Sequence, residues 1–142
     1  MSESQFRESS RATASLRRVP GSTGEGVLTI VEAHSDIGFD IRRVFFVTGM
    51  ARGTRRGGHA HLALEQFLVC VHGRMSVTLK TDAGEQNLEL ANDGSGIAVP
   101  RMTWVEYTAE EDDTTCLVLA SDVYDEADYC RDWDEFVRLR GA

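Results

Sequence analysis

The sequence predicts an all-β domain, a β-sandwich or small barrel that ends in one short helix. About eight short segments rich in β-branched and aromatic residues follow one another through the middle of the chain. Several of them alternate apolar and polar residues, the period of a strand with one buried face. Helical spacing appears only near the C-terminus. A chain of 142 residues without an internal repeat or linker is typical of one domain.

The first predicted strand begins near Gly26, and the residues before it form a predicted mobile arm. Residues 1–23 are rich in Ser, Arg, Thr and Gly and show no hydrophobic periodicity, so we place the domain at residues 24–142. Gly53–Gly58 is predicted to be a loop from its composition. Asp82, Ala83 and Gly84 separate two alternating segments and predict a hairpin. The predicted strands are Val27–Glu32, Ile41–Thr48, His59–His72 (one or two strands), Arg74–Lys80, Gln86–Leu90, Gly96–Pro100, Thr103–Tyr107 and Thr115–Ala120.

The C-terminal helix is predicted from a capping pattern followed by helical spacing. Asp132 precedes Glu135 by three residues, as in a capping box. Trp133, Phe136 and Val137 then recur at the spacing of one helix face. The helix therefore begins after Asp132.

Composition narrows the class of function. No apolar run approaches the roughly 20 residues that span a membrane, and the N-terminus lacks the apolar centre of a secretory signal. Three widely spaced cysteines without such a signal predict reduced thiols and a cytoplasmic protein, with Cys70 and Cys116 buried in apolar strands. A net charge of −8 argues against nucleic-acid binding. Residues 50–61 nevertheless hold three arginines and no acid, which suits a small anionic ligand.

The sharpest local pattern is Arg56-Gly57-Gly58-His59-Ala60-His61. In an extended segment the two histidines project from the same face, with Ala60 on the other. Such a pair can supply two metal ligands, or a general base and its partner, because the histidine pKa lies near neutrality. The glycines allow a backbone to approach a ligand closely.

This pattern resembles the first motif of the cupin family, in which HxH is followed by an acid and a glycine. Glu65, Gln66 and Gly73 follow here, and Gly94 and Pro100 match the opening of the second cupin motif. The third metal-binding histidine of that motif falls near Val105 and is missing. The resemblance therefore implies a cupin-type β-sandwich or jelly-roll barrel without a metal.

Within cupins the chain looks like the dTDP-sugar 3,4-ketoisomerases. The matching segments, in order along the chain, are Arg56–His61 with Gln66, Pro100–Trp104 (PRMTW) and Leu117–Trp133 (LVLASDVYDEADYCRDW). Members act on dTDP-4-keto-6-deoxyglucose: a histidine removes the proton at C3, an enediol forms, and a proton returns at C4. The resemblance implies neither a metal nor a redox cofactor, a dTDP-linked keto-deoxysugar as substrate, and a cytoplasmic homodimer that binds neither nucleic acid nor membrane.

The resemblance also implies roles for individual residues. His61 and His59 are the expected base and proton shuttle, although the sequence does not separate their roles. Arg56 is expected to contact the pyrophosphate or the enolate, and Arg43 is a second arginine candidate. Gln66, Trp104 and Tyr107 are the remaining candidates for substrate binding. The segment Tyr124–Tyr129 is interpreted as structural.

Two departures leave the product open. Many relatives have Arg-Gly where this chain has Glu25-Gly26, and some have a polar residue at Val105, so the stereochemistry at C4 is not predicted. The alternatives are a sugar-nucleotide 3,5-epimerase, a non-catalytic sugar-nucleotide binding module and a metal-dependent cupin oxygenase. The histidine pair favours ketoisomerisation over the first two, and the missing third histidine disfavours the last.

Overall fold

The computed structural model describes residues 12–141 as two five-stranded antiparallel sheets packed face to face. Sheet I has the strand order β1-β9-β6-β11-β4, and sheet II has the order β12-β5-β10-β7-β8. A separate hairpin pairs β2 with β3. The strands are β1 Thr13–Ser15, β2 Arg17–Pro20, β3 Val27–Ile30, β4 Arg43–Met50, β5 Arg55–His61, β6 Gln66–His72, β7 Arg74–Thr81, β8 Gly84–Ala91, β9 Ser95–Val99, β10 Trp104–Ala109, β11 Thr114–Ala120 and β12 Tyr129–Cys130.

The main core lies between the two sheets. Leu68 and Val118 of sheet I pack in one buried cluster with Met75, Val77 and Val105 of sheet II. Because alternate residues of a strand face opposite sides, Phe67 and Val69 point the other way. They join a second buried cluster with apolar residues of the segment 14–41, which covers the outer face of sheet I. The central residues 67–70 of β6 are therefore all apolar, because both faces of the strand are covered there.

The helix α1, Trp133–Arg140, covers part of the outer face of sheet II. Its Phe136 is fully buried with Ala60, Trp104 and Cys130. The Asp132 carboxylate accepts hydrogen bonds from the backbone N–H groups of residues 134 and 135, which confirms the predicted cap. No helix in the described part of the chain is long and apolar enough to cross a membrane.

The predicted all-β fold with a C-terminal helix is confirmed, with three local corrections: strand β12 was not predicted, and two segments predicted to be an arm and a loop contain strands. Strands β1 and β2 lie within the predicted N-terminal arm, and β1 pairs with β9 of the same chain; residues 1–11 of that arm lie outside the described residues. Strand β5 begins at Arg55, inside the predicted Gly53–Gly58 loop. The arm and loop errors have one physical cause: pairing with other strands holds these segments extended despite a loop-like composition. All three cysteines are free and buried, as predicted for Cys70 and Cys116.

Candidate active site

The two histidines lie at the C-terminal end of β5, and their side chains face the same side of sheet II. Their ring centroids are 5.1 Å apart and their planes are nearly perpendicular. Ala60 points to the opposite side, into the cluster beneath α1. His61 is only 4% exposed, and His59 is partly buried. The side-by-side arrangement predicted for the pair is confirmed.

A β-bulge in the glycine pair sets the direction of the side chains that precede the histidines. Val105 of β10 pairs with His59, but Glu106 pairs with Gly57, so one residue of β5 is extra. Gly57 and Gly58 have φ of +86° and +74°, values that favour glycine. A Cβ atom on Gly57 would lie 2.6 Å from the Val105 carbonyl oxygen. The bulge allows Arg56 and His59, three positions apart, to line the same cavity.

We call that space the large cavity, of about 560 Å³. This volume is within the usual range for a small-molecule site. Three arginines line it, and none of the lining residues in the described part of the chain is acidic. The cavity is therefore suited to an anionic ligand. Its lining residues are Phe45, Phe46, Val47, Arg55, Arg56, Gly57, His59, Gln66, Leu68, Val105, Tyr107, Val118, Tyr129 and Arg131.

A second space, the small cavity of about 150 Å³, is lined by His61, whereas His59 lines the large cavity. His61, Arg43 and Asp128 contribute to its lining. Tyr129 lines both cavities, and its ring lies 5.0 Å from that of His59 and 4.3 Å from that of His61. The two imidazoles and this phenol ring therefore mark the junction of the two spaces.

Asp128 fixes the tautomer of His61. Its Oδ2 lies 3.0 Å from His61 Nδ1, and its two oxygens also accept hydrogen bonds from the backbone N–H groups of Ala63 and Leu64. A carboxylate can only accept, so Nδ1 carries the hydrogen and Nε2 keeps its lone pair. Nε2 is buried and has no hydrogen-bond partner among the described residues, as is also true of Arg43 Nε.

Both histidines are held neutral at physiological pH. Burial, followed by the neighbouring His61, lowers the pKa of His59 to about 4. Burial also lowers the pKa of His61, although the Asp128 carboxylate opposes the shift. A neutral imidazole can accept a proton, and a carboxylate beside it stabilises the imidazolium that forms.

The predicted site residues fall into three groups: one lines the large cavity, one lines the small cavity, and Trp104 lies outside both. His59, Arg56, Gln66 and Tyr107 line the large cavity, and Tyr107 lies directly across from Arg56 in the strand register. His61 and Arg43 line the small cavity.

Trp104 lies in neither cavity. It packs against Trp133 and Phe136 beneath α1, and its Nε1–H donates to Glu106. Residues 104 and 107 of one strand differ by an odd number, so they face opposite sides of the sheet.

Four residues of the site had no individual role in the sequence-based prediction, although Arg55 is among the three arginines counted in residues 50–61. Arg55 and Arg131 line the large cavity, Tyr129 lines both cavities, and Asp128 holds His61. Three of the four belong to the segment Tyr124–Tyr129 or follow it closely, and that segment was interpreted as structural. Its unusual density of tyrosines and acids was the available signal. Within residues 12–141, no group of three or more His, Cys, Asp or Glu side chains is placed so that it could hold a metal ion.

Comparison with known proteins gives consistent matches over nearly the whole chain. A family model described as FdtA, WxcM-like, C-terminal matches residues 11–141. TDP-4-oxo-6-deoxy-α-D-glucose-3,4-oxoisomerase of Aneurinibacillus thermoaerophilus is 38% identical over 111 residues, which are 78% of this chain and 80% of that protein.

Three solved structures are similar in fold and length. The sugar 3,4-ketoisomerase QdtA of Thermoanaerobacterium thermosaccharolyticum, in complex with TDP, has a TM-score of 0.84 and 32% identity, with 92% of this chain and 93% of that chain covered. A histidine-to-asparagine variant of QdtA is known in complex with TDP-4-keto-6-deoxyglucose. A 3,4-ketoisomerase of Helicobacter canadensis has a TM-score of 0.85 and 28% identity, with 92% and 96% covered.

Proposed function

Because the chain belongs to the FdtA (WxcM-like, C-terminal) family of isomerases, we propose that it is a sugar-nucleotide 3,4-ketoisomerase. Its substrate is dTDP-4-keto-6-deoxyglucose, and its product is a dTDP-3-keto-6-deoxyhexose; dTDP is the nucleotide written TDP in the names of the relatives. The observation that carries the proposal is a neutral histidine pair, one member held by a carboxylate, at the edge of a cavity lined by three arginines.

The reaction moves a ketone from C4 to C3 without any net redox change. A base removes the proton from C3, which is acidic because it neighbours the 4-keto group. The C3–H electron pair forms the C3–C4 double bond, and O4 becomes an enediolate oxygen that takes up a proton. The O3 hydroxyl then loses its proton as C4 gains one, which leaves a ketone at C3 and a hydroxyl at C4. Two groups that exchange protons near neutral pH suffice for these steps.

We assign the removal of the C3 proton to His61 and the transfer of the proton onward to His59. The Asp128 carboxylate supports this division, because it leaves Nε2 of His61 unprotonated and stabilises the imidazolium formed after proton uptake. His59 lies beside it with a ring-centroid distance of 5.1 Å. Its pKa of about 4 favours prompt release of a proton that it receives.

The arginines divide between the two ends of the substrate. Arg43 lies at the small cavity with His61, and its buried Nε–H has no partner among the described residues, so we assign it to the enediolate oxygen. Arg56 lies in the large cavity, where its forked donors suit the diphosphate. Gln66 and Tyr107 line the same space and would contact the sugar or the nucleotide. Trp104 is assigned no contact with the substrate because it lies on the other face of sheet II.

We further propose a cytoplasmic homodimer. Strand β4 is an edge of sheet I, and its Val44 and Phe46 side chains are 53% and 65% exposed. An apolar edge strand is a surface that soluble proteins usually cover. A second copy of the chain would cover it, and sedimentation velocity at micromolar concentration would measure the mass.

The test of the reaction is proton NMR of chelator-treated protein with dTDP-4-keto-6-deoxyglucose in deuterium oxide. We expect a 3-keto product with deuterium at C4. His61→Asn should abolish proton loss from C3, whereas His59→Asn should slow the formation of product more than the loss of the C3 proton. His34→Asn is the matched control, because the His34 ring is exposed and pairs with Asp40 at the surface.

Other outcomes would favour the alternatives. Exchange at C3 and C5 with the 4-ketone retained would indicate a 3,5-epimerase. Binding of dTDP without any exchange would indicate a non-catalytic binding module. Activity that disappears with the chelator and returns with a divalent metal would contradict the metal-independent mechanism.

A further inference from the structure

An ion pair at the mouth of the large cavity engages one of the three cavity arginines. Arg131 Nε and Nη2 donate to the two carboxylate oxygens of Glu126, each at 3.0 Å. The Arg131 guanidinium also lies over the Tyr129 ring, 4.2 Å from its centroid. The side chains of Arg131 and Glu126 are 54% and 58% exposed, so the pair faces solvent while Arg131 lines the cavity.

The bidentate pair has the geometry of a guanidinium bound to a phosphate. Carboxylate and phosphate both offer two oxygens to the parallel N–H groups of an arginine. An exposed ion pair is weak, because water and salt screen it and because two side chains must be held in one arrangement. A phosphate entering the large cavity can therefore replace the carboxylate as the partner of Arg131.

The negative charge of Glu126 is firmly maintained. Its carboxylate accepts hydrogen bonds from Arg131 and from the Tyr124 hydroxyl, which hold its pKa at about 2. Arg55 and Arg56 have no such acidic partner among the residues that line the cavity in the described part of the chain. Arg131 is thus neutralised by Glu126, whereas Arg55 and Arg56 form no ion pair with the residues at positions 12–141.

We propose that Glu126 is an internal counter-anion that occupies Arg131 until a phosphate group of the nucleotide displaces it, so that Glu126 sets the affinity for substrate and product. This inference rests on the proposed function, because it requires a nucleotide diphosphate in the large cavity. The competition weakens binding of every ligand that carries the diphosphate. Since substrate and product carry the same diphosphate, the competition from Glu126 also limits how long the product stays bound.

The test compares dTDP binding by calorimetry for the wild type and Glu126→Gln. Glutamine keeps an acceptor for Arg131 and Tyr124 but removes the competing charge. We expect the Kd for dTDP to fall about three- to tenfold, because a unit charge a few ångströms from a phosphate has this order of effect at a solvated surface. The KM for the sugar nucleotide should fall in parallel. kcat should also fall if release of the product limits turnover.

Two further variants separate this role from a structural one. Arg131→Gln should raise the Kd for dTDP, and in that background Glu126→Gln should lose most of its effect, which makes the two changes non-additive. Glu89→Gln is the matched control. Glu89 lies on β8, the outermost strand of sheet II, and forms an exposed ion pair with Arg74. We expect that control to leave the Kd unchanged.

The outcomes distinguish the two proposals. If wild-type protein binds no dTDP, the proposed function fails and this inference fails with it. If wild-type protein binds dTDP but Glu126→Gln binds it equally or more weakly, the proposed function stands and the counter-anion role is refuted. An equal gain for Glu126→Gln in the wild-type and Arg131→Gln backgrounds would also refute it, because Glu126 would then not act through Arg131.

Discussion

Replacing Asp128 by Asn should reverse the tautomer of His61 with little change in shape. The carboxylate accepts from His61 Nδ1 at 3.0 Å and from the backbone N–H of Ala63 at 2.8 Å. If the Asn oxygen keeps the bond from Ala63, the shorter of the two backbone bonds, its amide group faces Nδ1 and must donate to it, and the Leu64 N–H loses its acceptor. Nδ1 then becomes the acceptor, and Nε2 carries the hydrogen. The proposed base loses the lone pair that takes the C3 proton.

The size of the effect follows from the burial of His61. The ring is 4% exposed, so water does not reach it to replace the lost partner. Restoring the original tautomer would place the buried Nδ1–H against the new amide N–H, two donors without an acceptor. General-base catalysis contributes roughly 10²–10⁴-fold to rate, so kcat should fall by that factor, about 3–5 kcal/mol of activation free energy. The lost charge-assisted hydrogen bonds should lower the free energy of unfolding by about 1–2 kcal/mol. For a chain of this size the melting temperature should fall by roughly 3–8 °C.

The assay is loss of the C3 proton in deuterium oxide at a temperature well below the melting transition of every variant. Asp132→Asn is the control, because it removes an aspartate that also accepts backbone N–H groups but lies at the start of α1. It should lower the melting temperature and leave kcat within about twofold. Wild-type kcat in Asp128→Asn would refute the tautomer argument. So would an equal loss of kcat in the control, because stability alone would then explain the effect.

Three other perturbations test the structure. Gly57→Ala should lower the free energy of unfolding by about 2–4 kcal/mol, because its Cβ would lie 2.6 Å from the Val105 carbonyl oxygen at a φ of +86°; urea denaturation measures it. Stability should decline as the pH falls from about 6.5 towards 4, by at most about 3 kcal/mol from His59, because its pKa of about 4 makes the unfolded chain bind the proton first; urea midpoints across that range measure it. Trp104→Phe should lower the melting temperature but leave KM within about twofold, because its Nε1–H bonds Glu106 outside both cavities; thermal melts and steady-state kinetics measure both.

Gly57→Ala has a matched control, and each of the other two expectations has a result that would contradict it. Gly38→Ala should be nearly neutral, because no atom lies within 4 Å of its added Cβ and its φ is not positive. Equal losses for the Gly38 and Gly57 variants would contradict the bulge argument. His59→Gln should flatten the pH dependence of stability, and an unchanged slope would assign that dependence to other groups. A large rise in KM for Trp104→Phe would return Trp104 to the substrate site.

Strand periodicity predicted most of the fold, because alternation is a local property. Strands β4 and β6 to β11 were recovered within a few residues, as were the Thr81–Gly84 hairpin and the Asp132 cap, whereas β12 was not predicted. Strand β1 was missed because its polar segment is extended only through its pairing with β9. The start of β5 was missed because two glycines indicate a loop unless a partner strand shapes them into a bulge.

Parity along a strand explains which site residues were placed correctly. His59 and His61 are two apart, so their common face was predictable from the sequence. Trp104 and Tyr107 are three apart in β10, so both could not face one cavity, and the tryptophan motif alone gave the wrong assignment. Arg56 and His59 are also three apart, yet both line the large cavity because of the bulge at Gly57.

The sequence by itself determined the strand pattern, the paired histidines and the local excess of arginine, because each depends on residues close together in the chain. Tertiary structure alone decided that Asp128, 67 positions beyond His61, holds its imidazole. It also decided that Arg43 faces the small cavity and that Arg131 faces the large one beside Glu126. A local pattern specifies which face of a strand a side chain occupies. Which distant groups contact that side chain, and therefore how it exchanges protons, depends on how the two sheets and the C-terminal segment pack together.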